Sequence, residues 1–109
     1  MDDKLISQVF INILKNAYET LINDEENISP TLSVRLLKGE YSISVEIANN
    51  GKEIPAELRE QIFIPFFTTK EEGTGIGLSL SKQIMLKMNG DILLNSTKEN
   101  LTKFIISFN

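Results

Sequence analysis

The chain has 109 residues and a mass of 12.3 kDa, which is enough for one domain with a single hydrophobic core. Apolar residues make up 41% and charged residues 24%, so the composition is that of a globular domain and excludes a disordered tail. Cysteine is absent, which excludes disulfides, thiolate metal sites and cysteine nucleophiles, and histidine is absent too. The net charge is −4 and no basic stripe occurs, so we expect no nucleic-acid partner.

The spacing of apolar residues predicts two long helices and two β-hairpins. In chain order the predicted elements are a helix over 4–22, strands over 31–38 and 41–49, a short helix over 56–60, a loop over 65–77, a helix over 76–88 and strands over 92–95 and 104–108. This order predicts an α+β sandwich with both helices on one face of a mixed sheet. No apolar run approaches the roughly 20 residues of a membrane span, so we expect a soluble domain.

The glycine-rich segment Gly73-Thr74-Gly75-Ile76-Gly77 leads directly into the second long helix. Glycines let backbone N–H groups approach an anion, and a helix N-terminus adds positive potential there, so a triphosphate could bind. A tight entry into the helix is an equally good interpretation of the glycines alone. The spacing matches neither the dinucleotide-binding fingerprint nor the P-loop.

Asn12 and Asn16 lie four residues apart, and therefore on one face of the first helix, at the edge of its apolar stripe. Amide oxygens are hard ligands that suit Mg²⁺. The alternative is a pair of asparagines hydrogen-bonded to neighbouring backbone at the edge of the core, which these two residues alone favour.

Two further segments are candidates for ligand binding. The turn that begins with Asn49-Asn50-Gly51 at the end of a strand could present a hydrogen-bond acceptor to a flat heterocycle, although an ordinary turn is the simpler interpretation. Phenylalanines around Pro65 are typical of a core, and the following Thr68-Thr69-Lys70 could form a lid that faces phosphates or could be merely solvated.

The order of these segments along the chain resembles the ATP-binding catalytic domain of bacterial sensor histidine kinases, within the superfamily shared with the gyrase, Hsp90 and MutL ATPases. The resemblance covers residues 3–108 and implies a two-layer α/β sandwich, the Bergerat fold, with ATP between the helices and a mobile lid. It also implies that residues 1–109 form a single domain, a fragment of a longer kinase that lacks the family's first strand. An unpaired sheet edge could then favour a homodimer.

The resemblance assigns roles to individual residues. It identifies Asn12, Lys15 and Asn16 as catalytic, with Asn16 as the Mg²⁺ ligand and the other two near the phosphates. The expected nucleotide-binding residues are Asn16, Asn49, Gly51, Ile54, Thr68, Thr69, Lys70, Gly73, Thr74, Gly75, Ile76, Gly77, Leu78 and Thr102.

The chain departs from the family pattern in its base-binding segments. Asn49 stands where the family usually has an aspartate that accepts a hydrogen bond from the adenine amino group. We expect its amide oxygen to accept this bond, with a loss of about 1 kcal/mol relative to a charged acceptor. Glu53 replaces a glycine and could crowd the nucleotide or repel its phosphates, and residues 99–104 lack the glycines of the family's last motif.

The resemblance implies that the chain binds Mg²⁺ and ATP and supplies the γ-phosphoryl group to a histidine on a separate dimerisation domain. A response regulator's receiver domain would be an indirect partner. The chain contains no histidine, so we expect no autophosphorylation by this fragment alone. The expected location is cytoplasmic, with a parent protein that could be anchored in the inner membrane. The alternatives are a degraded, non-catalytic scaffold of the same fold and, fitting less well, an anti-sigma-type kinase.

Overall fold

The computed structural model describes residues 3–64, 77–96 and 101–108, and within them two α-helices and four β-strands form the fold. In chain order they are α1 (Asp3–Ile22), β1 (Leu32–Lys38), β2 (Ile43–Asn49), α2 (Gly77–Lys87), β3 (Asp91–Ser96) and β4 (Thr102–Phe108). The short helix predicted over 56–60 is instead a pair of 3-10 turns, Ala56–Leu58 and Gln61–Phe63. Five residues offer too few hydrogen bonds to offset the cost of nucleating an α-helix.

The sheet has the strand order β1-β2-β4-β3. Every pairing among these described strands is antiparallel, so the prediction of a mixed sheet is wrong for them. Strands β2 and β3 do run parallel to each other, and the connection through α2 is the kind of crossover that parallel strands need. However, β4 lies between β2 and β3 in the sheet and pairs antiparallel with each of them.

Both helices cover the same face of the sheet, which confirms the predicted α+β two-layer architecture. The centre of the apolar stripe of α1 (Val9, Ile13 and Ala17) is completely buried. Phe104 on β4 is the largest of the fully buried side chains among the described residues. The buried core consists of Val9, Ile13, Ala17, Ile47, Ile62, Ile84, Met85, Ile92, Phe104 and Ile106. On the opposite face, the carboxylate of Glu46 lies 3.6 Å from both Arg35 Nε and Lys103 Nζ, an ionic ladder across three strands.

Strand β1 lies beyond the helical layer. All seven of its residues are exposed, including the apolar side chains of Val34 and Leu36, which point to the same face as the core. Val34 is directly opposite the buried Ile47 in the β1–β2 register, yet it is 57% exposed. Among the described strands β1 is paired on one side only, so it is an edge strand.

The end of α2 is set by Asn89 and Gly90. Asn89 has a left-handed φ of 61°, and the Gly90 N–H donates to Met85 O at 2.8 Å while the Asn89 N–H donates to Leu86 O at 3.2 Å. This pair of bonds is a Schellman motif. A Cβ on Gly90 would collide with the Ser107 carbonyl oxygen, so this glycine lets the chain pass close to β4.

Candidate functional site

Asn49 occupies the last position of β2, next to the end of the helical layer, and is only 2% exposed. Its Oδ1 accepts a hydrogen bond from the Gly51 N–H at 2.9 Å, which closes an Asx turn. The amide oxygen predicted to accept from adenine is therefore already engaged in one bond. Because a carbonyl oxygen has two lone pairs, a bond to a nucleotide would have to use the second one.

Thr102 begins β4 directly opposite Asn49 in the β2–β4 register, so these two residues, far apart in sequence, lie side by side. Thr102 is 3% exposed, and its Oγ1 is a buried oxygen without a hydrogen-bond partner among the described residues. Leaving a buried hydroxyl unpaired costs about 1–3 kcal/mol. Such an orphaned group beside a buried amide fits a site for a polar ligand, as the resemblance implies for ATP.

Gly51 closes the turn against the last turns of α1. A Cβ at this position would lie 2.8 Å from Thr20 Cγ2 and 3.1 Å from Asn49 Oδ1, so a side chain does not fit without movement. The neighbouring Ile54 is half-buried and packs against the core.

Glu53 does not carry an isolated negative charge into this region. Its Oε1 lies 3.0 Å from Arg59 Nη2, and the same guanidinium donates through Nε to Ile54 O at 3.1 Å. The side chain of Glu53 is 47% exposed, so the ion pair lies at the surface. The expectation that Glu53 repels phosphates is thus weakened by a neutralising partner.

Asn12 connects α1 to the first turn of α2. Its Nδ2 donates to Gly77 O at 3.2 Å and to Ser81 Oγ at 3.1 Å, and its Oδ1 accepts from Gln8 Nε2 at 3.0 Å. The Ser81 hydroxyl in turn donates to Gly77 O at 2.8 Å. The Asn12 amide is therefore engaged within the protein, and it lies beside Gly77, the last glycine of the glycine-rich segment.

Asn16 and Lys15 differ in their surroundings. The Asn16 backbone oxygen accepts from Thr20 Oγ1 at 2.9 Å, and its partly buried side-chain amide makes no hydrogen bond to the described residues. Its oxygen is available to a cation. The Lys15 side chain is 73% exposed, and its Nζ lies 4.0 Å from Glu19 Oε1.

A metal ion would find few other ligands here. Within the described ranges no group of three or more acidic side chains could hold one. A cation at Asn16 would therefore need the oxygens of a bound phosphate and water to complete its shell, which is the mode that Mg²⁺ prefers.

Part of the predicted site lies outside the described residues, namely Thr68, Thr69, Lys70, Gly73, Thr74, Gly75 and Ile76. Of the rest of that segment, Gly77 is the first residue of α2 and faces Asn12, whose side-chain atoms lie 3.8–4.0 Å from the position of a Cβ. Leu78 is half-buried and packs against the core. The start of α2 is thus positioned by α1.

Sequence reasoning missed two residues of α2. Ser81 is completely buried. The only sequence feature that could have indicated its contact with Asn12 is its place as a small polar residue four positions after Gly77 in an apolar helix. Lys82 Nζ donates to Ile92 O at 2.8 Å, lies 2.6 Å from Asp91 Oδ1 and lies 5.1 Å from the centre of the Phe63 ring. Lys82 therefore joins α2, β3 and the second 3-10 turn.

The ion pair of Lys82 also affects Asp91. Partial burial acts to raise the pKa of the Asp91 carboxyl, but the hydrogen bonds from Lys82 and from the Ile92 N–H, together with the charge of Lys82, outweigh it. The pKa of Asp91 is consequently lowered from its usual value of 3.8.

The described residues form a helical layer on an antiparallel sheet, with a buried polar pair at one end and Asn12 of α1 beside Gly77. The comparison with protein families shows to which class this fold belongs. Residues 1–109 match the family described as histidine kinase-, DNA gyrase B-, and HSP90-like ATPase, and the chain belongs to this family.

The relatives that the chain matches include bacterial kinases. The chain is 36% identical over 107 residues to sporulation kinase A of Bacillus subtilis, covering 98% of this chain and 17% of that protein. It is 41% identical over 98 residues to the signal transduction histidine-protein kinase AtoS of Escherichia coli, covering 87% of this chain and 15% of that protein. The chain thus spans about one sixth of the length of these relatives.

Solved structures agree with the architecture. The nucleotide-free catalytic domain of histidine kinase ThkA superposes with a TM-score of 0.83 at 34% identity, covering 98% of this chain and 68% of that one. The mycobacterial sensor histidine kinase MprB has a TM-score of 0.84 over 99% of this chain and 74% of that one, and at 23% identity it supports the fold alone. No described helix of the chain is both long and apolar enough to cross a membrane.

Proposed function

We propose that residues 1–109 are the ATP-binding catalytic domain of a longer sensor histidine kinase, which binds Mg²⁺ and ATP and supplies the γ-phosphoryl group for phosphorylation of a histidine on a separate dimerisation domain. The single observation that carries this proposal is the buried pair of Asn49 and Thr102, with its orphaned hydroxyl, at the end of a fold whose relatives are histidine kinases.

The described residues divide between the two ends of the nucleotide. Asn49 and Thr102 would bind the edge of the base, while Gly51 and Ile54 would form the wall beside it. The N-terminus of α2 at Gly77 would present the positive end of the helix dipole to the phosphates. Asn12 keeps this N-terminus against α1 through its bonds to Gly77 and Ser81.

Asn16 is the residue that would hold Mg²⁺, because its amide oxygen is free of bonds to the described residues. Bound Mg²⁺ would neutralise negative charge on the phosphate oxygens, which is the main electrostatic requirement of phosphoryl transfer. The contribution of the chain itself is to position the triphosphate so that an incoming histidine can attack in line.

The acceptor must come from another domain, because the chain has no histidine. The partner we propose is the histidine-bearing dimerisation domain of the parent kinase, with the receiver domain of a response regulator acting after it. The expected cytoplasmic location of the chain stays a prediction.

A calorimetric titration with a non-hydrolysable ATP analogue, with and without Mg²⁺, tests the proposal. We expect saturable binding that Mg²⁺ strengthens, and we expect Asn16→Ala to remove the strengthening while leaving the Mg²⁺-free affinity nearly unchanged. Asn95→Ala, which removes an exposed amide on β3, is the matched control and should behave as the parent sequence does.

Two results would count against the proposal. If Asn16→Ala kept the full effect of Mg²⁺, the assignment of the metal ligand would be wrong. If the chain melted cooperatively but bound no nucleotide, the non-catalytic scaffold would be the better interpretation.

A further inference from the structure

The orientation of the Asn49 amide is determined by its surroundings. The Gly51 N–H can only donate a hydrogen bond, so the atom that faces it at 2.9 Å must be the amide oxygen and not the nitrogen. Turning the amide over would place two donors against each other in a position that is 2% exposed, where water cannot relieve the conflict. The Nδ2 group therefore occupies the other branch of the side chain.

The atoms left over define what the pair can recognise. Nδ2 carries two hydrogens and donates to no other described residue, and Oδ1 keeps one unused lone pair. The hydroxyl of Thr102, opposite in the register, is also unpartnered and can either donate or accept. The buried end of the site thus offers a donor, an acceptor and a group that can act as either.

The two kinds of purine differ at this edge. Adenine presents an amino donor at position 6 and an acceptor at N1, whereas guanine and hypoxanthine present an acceptor at O6 and a donor at N1. A carboxylate can only accept, so an aspartate in place of Asn49 would favour the amino group and repel O6. An amide has a complementary atom for each kind of base.

We propose that this site accepts 6-oxopurine nucleotides such as ITP and GTP in addition to ATP, with Asn49 as the residue that sets this selectivity and Thr102 as its partner at N1. The inference rests on the proposed nucleotide site and concerns only which base that site takes. With adenine, the second lone pair of Asn49 Oδ1 would accept a hydrogen bond from the 6-amino group. With a 6-oxopurine, Nδ2 would donate to O6 and Thr102 would accept from N1–H.

The test compares the binding of three triphosphates to the unaltered chain by calorimetry at one Mg²⁺ concentration. ATP carries a 6-amino group, ITP a 6-oxo group and purine riboside triphosphate no group at position 6. ITP also lacks the 2-amino group of GTP, so steric effects at position 2 do not enter. We expect the dissociation constants of ATP and ITP to agree within about tenfold, and both nucleotides to bind at least about threefold more tightly than purine riboside triphosphate.

The variant Asn49→Asp tests the residue assignment. We expect it to raise the ratio of the ITP and ATP dissociation constants by about 30-fold or more, because a carboxylate would be left facing O6. Thr102→Val should weaken the binding of both nucleotides and leave the ratio of their dissociation constants within about threefold of its original value. The ligand comparison does not depend on whether the aspartate variant folds.

The outcomes separate the two proposals. Absence of binding by all three triphosphates would overturn the proposed function itself. Binding of ATP with ITP no tighter than purine riboside triphosphate would overturn the selectivity inference and leave the function standing. If the Asn49→Asp variant melted cooperatively and the ratio of its ITP and ATP dissociation constants were unchanged, the assignment of base selectivity to Asn49 would be overturned.

Discussion

At the residue scale, Thr102 combines a proposed role in nucleotide binding with an expected cost to stability. Its buried hydroxyl has no partner among the described residues. Thr102→Val keeps the shape and removes the unpaired oxygen, so we expect it to raise the free energy of unfolding by about 1 kcal/mol. The same change should weaken nucleotide binding. Urea unfolding and calorimetry measure the two effects, and a variant that lost both stability and affinity would show that the hydroxyl is structural.

Gly51 is expected to be sensitive for a steric reason. Gly51→Ala would place a Cβ 2.8 Å from Thr20 Cγ2, and overpacking of this kind costs about 1–3 kcal/mol of unfolding free energy.

The double variant Gly51→Ala, Thr20→Ser provides the control for this prediction. Serine removes the Cγ2 methyl group and keeps the hydroxyl that donates to Asn16 O. We expect the double variant to recover most of the stability measured by thermal unfolding. If it recovered none, the cost would come from the backbone of the turn instead.

At the scale of elements, the Lys82–Asp91 pair attaches α2 to β3 and makes a pH-dependent contribution. Because the pKa of Asp91 is lowered in the folded state, its contribution is complete above the unfolded value near 3.8 and is lost as the pH falls through the lower folded value. Asp91 is 38% exposed in its side chain, so solvent screening limits the contribution to about 1 kcal/mol or less.

The variant Asp91→Asn measures this contribution. We expect it to be less stable than the original chain at pH 7, and the difference to shrink below about pH 4. Glu57→Gln removes a charge from an exposed position and serves as the control. If the difference in unfolding free energy between the variant and the original chain were the same at pH 3 and pH 7, the contribution could not be assigned to the Asp91 carboxylate.

At the scale of the whole molecule, the division between the core and the exposed edge strand is the dominant feature. Ile47 and Val34 are direct neighbours across the β1–β2 ladder, but Ile47 is 1% exposed and Val34 is 57% exposed. We expect Ile47→Ala to cost about 2–5 kcal/mol of unfolding free energy and Val34→Ala to cost less than about 1 kcal/mol. Urea unfolding of both variants at low protein concentration checks this.

The predicted homodimer bears on the same comparison and stays a prediction. A second copy that paired along β1 would bury Val34, so the cost of Val34→Ala would then rise with protein concentration. Sedimentation at the same concentrations would show the dimer directly. If the chain dimerised but the destabilisation by Val34→Ala did not change with protein concentration, the dimer interface would not lie along β1.

The sequence by itself determined the features that depend on local periodicity. The helix predicted over 4–22 is α1 (Asp3–Ile22), the second long helix ends where Asn89-Gly90 predicted, and both hairpins are present. The motifs in their order also determined the family, because their residue types and spacings are readable along a single chain.

Only the tertiary structure decided which polar atoms are free to bind a ligand. Strand pairing brings Thr102 beside Asn49, and the Asx turn to Gly51 determines which end of the amide faces its own backbone. The contact between Asn12 and Ser81 likewise joins residues from different helices. Hydrogen bonds between distant segments leave no periodic signal in a sequence, because they depend on which elements become neighbours when the core forms.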